Sequence, residues 1–122
     1  PHYQWSSLVV KEVLKQAIVG MLPAHGVTTI HYILTKYIGR VRADKEVDWL
    51  LSRFEIAACG KSTFIQARSL QIDDFEDAVV AALAQANACD HIITRNEDDF
   101  AASPVPALTP KDFIERYTPA SE

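Results

Sequence analysis

Two periods of apolar and polar residues alternate along the chain, and the switches between them mark its elements. Between Tyr3 and Ala17, the apolar residues Trp5, Leu8, Val9, Val13 and Ala17 recur at helical spacing with Lys11, Glu12, Lys15 and Gln16 between them, which predicts an amphipathic helix. The apolar run from Ile18 to Leu22, broken by Pro23, His25 and Gly26, has the form of a buried strand ending in a turn. Thr28 or Thr29 then opens a helix that passes through His31, Leu34 and Tyr37 and stops near Gly39. A further helix fits Ala43 to Arg53, with Val47, Leu50 and Leu51 turned inward. Phe54 to Ala58 reads as a strand and Ser62 to Leu70 as a helix that Ser62 or Thr63 caps. Asp73 or Asp74 opens a helix reaching about Ala88, His91 to Thr94 is the next strand, and Val105 to Leu108 is the last. Pro110 begins the terminal helix, at a position where its missing N–H has no intrahelical partner to lose.

Helices that alternate with short apolar strands predict an α/β fold with a mostly parallel sheet. A length of 122 residues suits a single domain. The composition, 48% hydrophobic and 23% charged, is that of a globular protein and excludes a disordered tail, a collagen-like repeat or a disulfide-stapled miniprotein. No apolar run approaches the ~18–20 residues that cross a bilayer, and no signal-like stretch opens the chain, so a cytoplasmic protein without a membrane partner is expected. Cys59 and Cys89 stand thirty residues apart without the close-set Cys or His of a zinc site, and read as buried thiols in a reducing compartment.

Charge divides the chain. Residues 1–60 carry seven Lys or Arg against five acids, and residues 61–122 carry five against eleven, so +2 and −6 make up the net −4. The acids of the second half gather in two stretches, Asp73-Asp74-Phe75-Glu76-Asp77 at a predicted helix start and Glu97-Asp98-Asp99-Phe100 after a predicted strand. At 100° per residue Asp74, Asp77, Ala78, Ala81 and Gln85 share one helix face, while Phe75, Val79, Ala82, Leu83 and Ala86 cover the other. The carboxylates thus point together toward the crevice beyond the strand ends, where open α/β sheets bind ligands, and Asp99 can reach the same place.

Carboxylates brought this close raise one another's pKa unless a cation neutralises them, and oxygen-only ligation suits Mg²⁺ or Mn²⁺. Such ions activate water and stabilise phosphoryl transition states, so the acids suggest phosphodiester hydrolysis. A purely structural role fits the same residues: Asp74 as an N-cap with Asp77 at the third helical position, and Asp98 and Asp99 in a solvated loop. Other chemistries lack support. His25 and His31 do not have the spacing of a helical metal pair and read as packed or hydrogen-bonded imidazoles. Ser62 and Thr63 have no His–acid arrangement, and Gly20, Gly26, Gly39 and Gly60 form no phosphate-cradling loop, which also counts against an unrelated α/β phosphohydrolase.

Residues 74–114, DFEDAVVAALAQANACDHIITRNEDDFAASPVPALTPKDFI, resemble the carboxyl-terminal half of a PIN domain of the VapC-like toxin type. There, an acid begins a helix, a strand ends in Thr-x-Asn, an Asp–Phe pair follows, and a Pro-Val-Leu-Thr-Pro-like strand leads into the last helix. Residues 24–36, AHGVTTIHYILTK, are similar to the second strand–helix unit of one branch of these proteins. The resemblance implies a three-layer α/β fold and a Mg²⁺- or Mn²⁺-dependent ribonuclease, often a toxin held by an antitoxin protein and often a homodimer. It makes Asp77 the helix-start acid and Asp99 the acid before Phe100, the two metal ligands, with Asp74 a further catalytic carboxylate. Thr94 and Asn96 would line the pocket, and Arg95, Lys36 or Arg40 would meet RNA phosphates.

Two positions depart from that pattern. A PIN domain opens with a central strand carrying Asp-x-Asn, whereas this sequence starts at Pro1 in or near the first helix, so that strand and its metal-ligating acid are expected to be missing. The family's second acid, a Glu, falls around Thr28 to Ile30, where no acid stands. The expectation is therefore an amino-terminally incomplete PIN-like domain, a fragment of a longer protein, or a chain that gains a strand from a partner or by domain exchange. The alternative to a ribonuclease is a catalytically inactive PIN-like module that binds protein or RNA.

Overall fold

The computed structural model of the chain describes residues 8–12, 15 and 17–117. Of the predicted first helix, 8–12 are helical, while Trp5 and Val13 lie outside the described residues. β1 (Met21–Pro23) leads directly into α1 (Ala24–Ile38). The helix begins four residues before Thr28, because Pro23 supplies the extended N-cap conformation (φ −70°, ψ 136°) and His25 and Gly26 continue it rather than forming a turn. Gly39 ends it as expected. At φ +83° and ψ 162° its backbone occupies a region that is essentially closed to residues with a Cβ, and its N–H donates to the Thr35 carbonyl at 3.1 Å.

That turn passes at once into α2 (Arg40–Arg53), which starts before Ala43 and buries Ala43, while Leu51, expected inside, is exposed. His31 Nε2 donates to Asp44 Oδ1 at 2.6 Å and ties α1 to α2. β2 (Glu55–Ala57) pairs parallel with β1 in the register Met21↔Glu55, Leu22↔Ile56 and Pro23↔Ala57. α3 (Lys61–Arg68) has Gly60 as N-cap, and Thr63 acts from within the helix, its Oγ1 accepting the Gly60 N–H at 3.2 Å. α4 (Phe75–Ala86) follows, then β3 (Ile92–Ile93), a 3₁₀ turn (Glu97–Phe100), β4 (Ala107–Leu108) and α5 (Pro110–Tyr117), with Pro110 at the predicted first position. Tyr117 donates its hydroxyl to the Ala17 carbonyl at 3.1 Å, joining the last helix to the segment before β1.

The helices flank a small parallel sheet, as an α/β fold requires, but the sheet is in two parts. β1 pairs with β2 and β3 with β4, in the register Ile92↔Ala107 and Ile93↔Leu108. Among the described residues no strand pairs with both β1 and β3, so each of them keeps a free edge. What unites the halves is α4. Ala78, Val79, Ala82 and Leu83 pack with Ala57 and Ala67 on one side, and Ala81 and Ala84 with Ile92, Phe100 and Val105 on the other. Small side chains let both layers approach the helix closely. Phe75, expected on the covered side, is 46% exposed. Cys59 and Cys89 are free and partly buried, with Cys89 Sγ 3.8 Å from Met21 Sδ. Among the described residues no helix is long and apolar enough to cross a membrane.

Candidate active site

Two elements deliver the acids. Asp74 caps α4: its Oδ1 accepts the Asp77 N–H at 3.0 Å, which satisfies a free donor of the first turn and starts the helix where the sequence predicts. Asp77 projects from that first turn. After β3, Thr94 Oγ1 accepts the Asn96 N–H at 3.1 Å and the Asp99 N–H donates to the Asn96 carbonyl at 3.0 Å, so the chain curls into the 3₁₀ turn. Phe100, 7% exposed, plugs the turn into the core beside Ala81 and Ala84. That anchor explains why an acid is followed by Phe: the ring fixes the turn, and the carboxylates of Asp98 and Asp99 stay outside.

Asp73, Asp74, Asp77, Asp98 and Asp99 line one cleft of about 420 Å³, walled further by Gln71 and Ile72. The carboxyl of Asp77 is raised above its ordinary range, first by burial, then by the charges of Asp74, Asp99 and Glu76. Asp77 and Asp99 therefore line a shared space, and Asp74 lines it with them. Thr94, Arg95 and Asn96 are not among the residues lining this cleft, and Thr94 and Asn96 bond to each other. Asp73 and Asp98 line it although sequence reasoning gave them no site role. Their adjacency to Asp74 and Asp99 was the available signal. Of the two readings of His25, packed or hydrogen-bonded, the structure fits the first: its Nδ1 is buried and has no hydrogen-bond partner among the described residues.

Among the described residues no group of three or more His, Cys, Asp or Glu side chains is close enough to hold a metal ion. The donor set nevertheless fits one kind of ion. Two or three carboxylate oxygens that repel one another suit a hard divalent cation that keeps several of its waters, the usual state of Mg²⁺ at one or two protein carboxylates.

A family model for the PIN domain matches residues 1–98. The chain belongs to the PIN-domain family. No curated protein and no solved structure gives a significant match. PIN domains are generally nucleases that use divalent metal ions and act on RNA. The match takes in β1, Asp74 and Asp77 at the start of α4 and the Thr94–Asn96 turn, and it ends one residue before Asp99. The place of Asp99 in this PIN domain rests on geometry: the Phe100 anchor and the cleft that it shares with Asp77.

Proposed function

We propose that this PIN domain is a metal-dependent endoribonuclease of the VapC toxin type that hydrolyses RNA phosphodiester bonds. One observation carries the reading: Asp77 and Asp99 come from different elements and line the same acidic cleft. In this reading those two carboxylates hold Mg²⁺ or Mn²⁺, and Asp74 offers its free oxygen beside them. When bound, such an ion supplies an acidified water and screens the charge of the phosphate. Arg95, two residues past β3, is exposed and would meet RNA phosphates, with Lys36 or Arg40 as alternatives, while Thr94 and Asn96 would orient the loop that carries Asp99.

The remaining parts of the reading are a cytoplasmic toxin, an antitoxin partner and a homodimer. The two partners have the support of the α1–α2 hairpin, which exposes Tyr32, Ile33, Tyr37 and Val41, with Tyr37 81% exposed, a surface of the kind that proteins cover with one another. We further read the split sheet as lacking one central strand, which would come from a longer chain or from a partner. The free edges of β1 and β3 support this. A second reading is a PIN-like module that binds RNA or protein without cutting it, favoured by the absence of a three-ligand group among the described residues.

Incubation of a mixed RNA pool with the protein and Mn²⁺ tests both. Cleavage that disappears in Asp77→Asn and in Asp99→Asn is expected. Cleavage that persists in both variants removes the site, and RNA binding without cleavage by the unaltered chain selects the second reading.

A further inference from the structure

A phosphodiester presents oxygens that only accept hydrogen bonds, and ionised carboxylates only accept as well. Of the nine residues that line the acidic cleft, five are aspartates, and Ile72, Ala101 and Ala102 have no polar side-chain atom. Gln71 is left as the one lining residue with a side-chain donor when the acids are ionised, and its amide carries two N–H groups. Thr94, Arg95 and Asn96, to which the family resemblance gives the substrate contacts, do not line the cleft, and the Thr94 hydroxyl is engaged by the Asn96 backbone N–H. Gln71 is also available. It is exposed, and its side chain has no hydrogen-bond partner among the described residues, whereas Gln66 of α3 and Gln85 of α4 bond to each other at 3.4 Å. Leu70 and Ile72 on either side of it pack against both halves of the core, which fixes the main chain at Gln71.

We propose that the Gln71 side-chain amide donates a hydrogen bond to a non-bridging oxygen of the RNA phosphate that the cleft receives. The proposal rests on the ribonuclease reading and adds a substrate-binding residue to it. The same donor inventory favours a phosphate over a base edge. A base carries amino and imino donors, for which any of the five carboxylates is a partner, whereas a phosphate oxygen finds no other side-chain donor in the cleft.

The test compares the unaltered chain with Gln71→Met, which keeps the length of the side chain but loses the amide, on a mixed RNA pool in Mn²⁺ with the cut sites read by sequencing. A hydrogen bond to a charged group corresponds to about a ten- to hundredfold change in rate, so cleavage at limiting RNA should slow by that factor. The loss should be equal at every cut site, because phosphate contacts carry no sequence information. The melting temperature and its rise with Mn²⁺ should stay at wild-type values, which separates a substrate contact from a structural or cation-holding one. Gln71→Glu, of the same shape with an acceptor in place of the donor, should lose at least as much, and Gln71→Asn, with the amide on a shorter stem, should keep part of the rate.

Wild-type cleavage by the Met or the Glu variant overturns the proposal and leaves the nuclease reading standing alone. A loss confined to some sequences makes Gln71 a reader of bases, and a lost Mn²⁺ shift makes it a cation ligand through its carbonyl oxygen; either result also overturns the phosphate contact. If the Met variant melts lower than wild type, the rate of Gln71→Glu decides. An unaltered chain that does not cleave RNA removes both the ribonuclease reading and this one.

Discussion

Asp77→Asn should have opposite consequences for stability in the absence and presence of a divalent cation. Without one, burial disfavours the charged form of Asp77 most, and the charges of Asp74, Asp99 and Glu76 add to this. Asp74 lies three positions earlier, about 5–6 Å away between Cβ atoms. Two unit charges at ~6 Å in water repel by about 0.7 kcal/mol, and a Debye length of ~8 Å at physiological salt reduces this to about 0.3. With the other two acids the repulsion stays below about 1 kcal/mol, since the cleft is open to water. The α4 dipole opposes it with about 0.3–1 kcal/mol. Because Asp77 is raised on balance, Asn should stabilise the cation-free protein slightly, by about 0.5 kcal/mol or less, near 2 °C in Tm.

The pH dependence has a definite sign. The folded protein keeps a proton on Asp77 at pH values where the unfolded chain, with an ordinary value of 3.8, has released it. Wild-type stability therefore falls as pH rises from that value through the folded one, and the Asn variant lacks this fall, so below the window the small difference vanishes. Adding Mn²⁺ reverses the order. A ligand at a hundredfold excess over Kd stabilises by about 2.7 kcal/mol, which is roughly 10 °C for a domain of this size, and the variant should lose most of that. Thermal melts followed by circular dichroism in EDTA and in Mn²⁺ read both effects. Equal Mn²⁺ shifts in wild type and variant would refute the cleft as the cation site, and a loss above about 1 kcal/mol in EDTA would show that the helix-start role outweighs the repulsion.

Leu83, 3% exposed between α4 and the β1–β2 half, should cost about 2–5 kcal/mol when changed to Ala, read as a lower urea midpoint. Gly39→Ala puts a Cβ at φ +83° and should cost about 1–3 kcal/mol, although open space surrounds the position, so a loss below a few tenths would mean that the turn relaxes.

Most helices were legible because their ends carry chemical marks that act locally: Asp74 before α4, Gly39 after α1, and Pro110 at the start of α5. The start of α1 was not, since Pro23, His25 and Gly26 read as a turn when taken one by one, while Pro23 in an extended conformation is a sound entry to a helix. The position of Phe75 was misread for a tertiary reason. Helical periodicity assigns it to the apolar face, but at the first turn that face meets Phe64 on α3 rather than the sheet. The split of the sheet was legible only as an expected gap in strand order, because the pairing of β1 with β2 and of β3 with β4 depends on residues far apart in the chain. At the site, the convergence of Asp77 and Asp99 followed from a helix start and a strand end at one rim. The turn of the Thr94 hydroxyl onto the Asn96 backbone N–H did not, as it belongs to a local turn.

The geometry of the acids depends on a helix that touches everything else. α4 is buried against both halves of the sheet, so its first turn, and Asp77 with it, is held from two sides. Asp99 reaches the cleft by another route, through a turn whose only deep anchor is Phe100, and that ring packs in the same cluster as Ala81 and Ala84 of α4. The two carboxylates are thus referred to one body, one directly and one through a single aromatic contact. A close-packed interior transmits displacement instead of absorbing it, so the spacing of the acids is set by how near the Phe100 ring can come to α4. Alanine at 81 and 84 permits that approach. The small side chains in the middle of α4 and the acids at its start therefore serve one purpose: the first bring the 3₁₀ turn against the helix, and the second use the proximity that results.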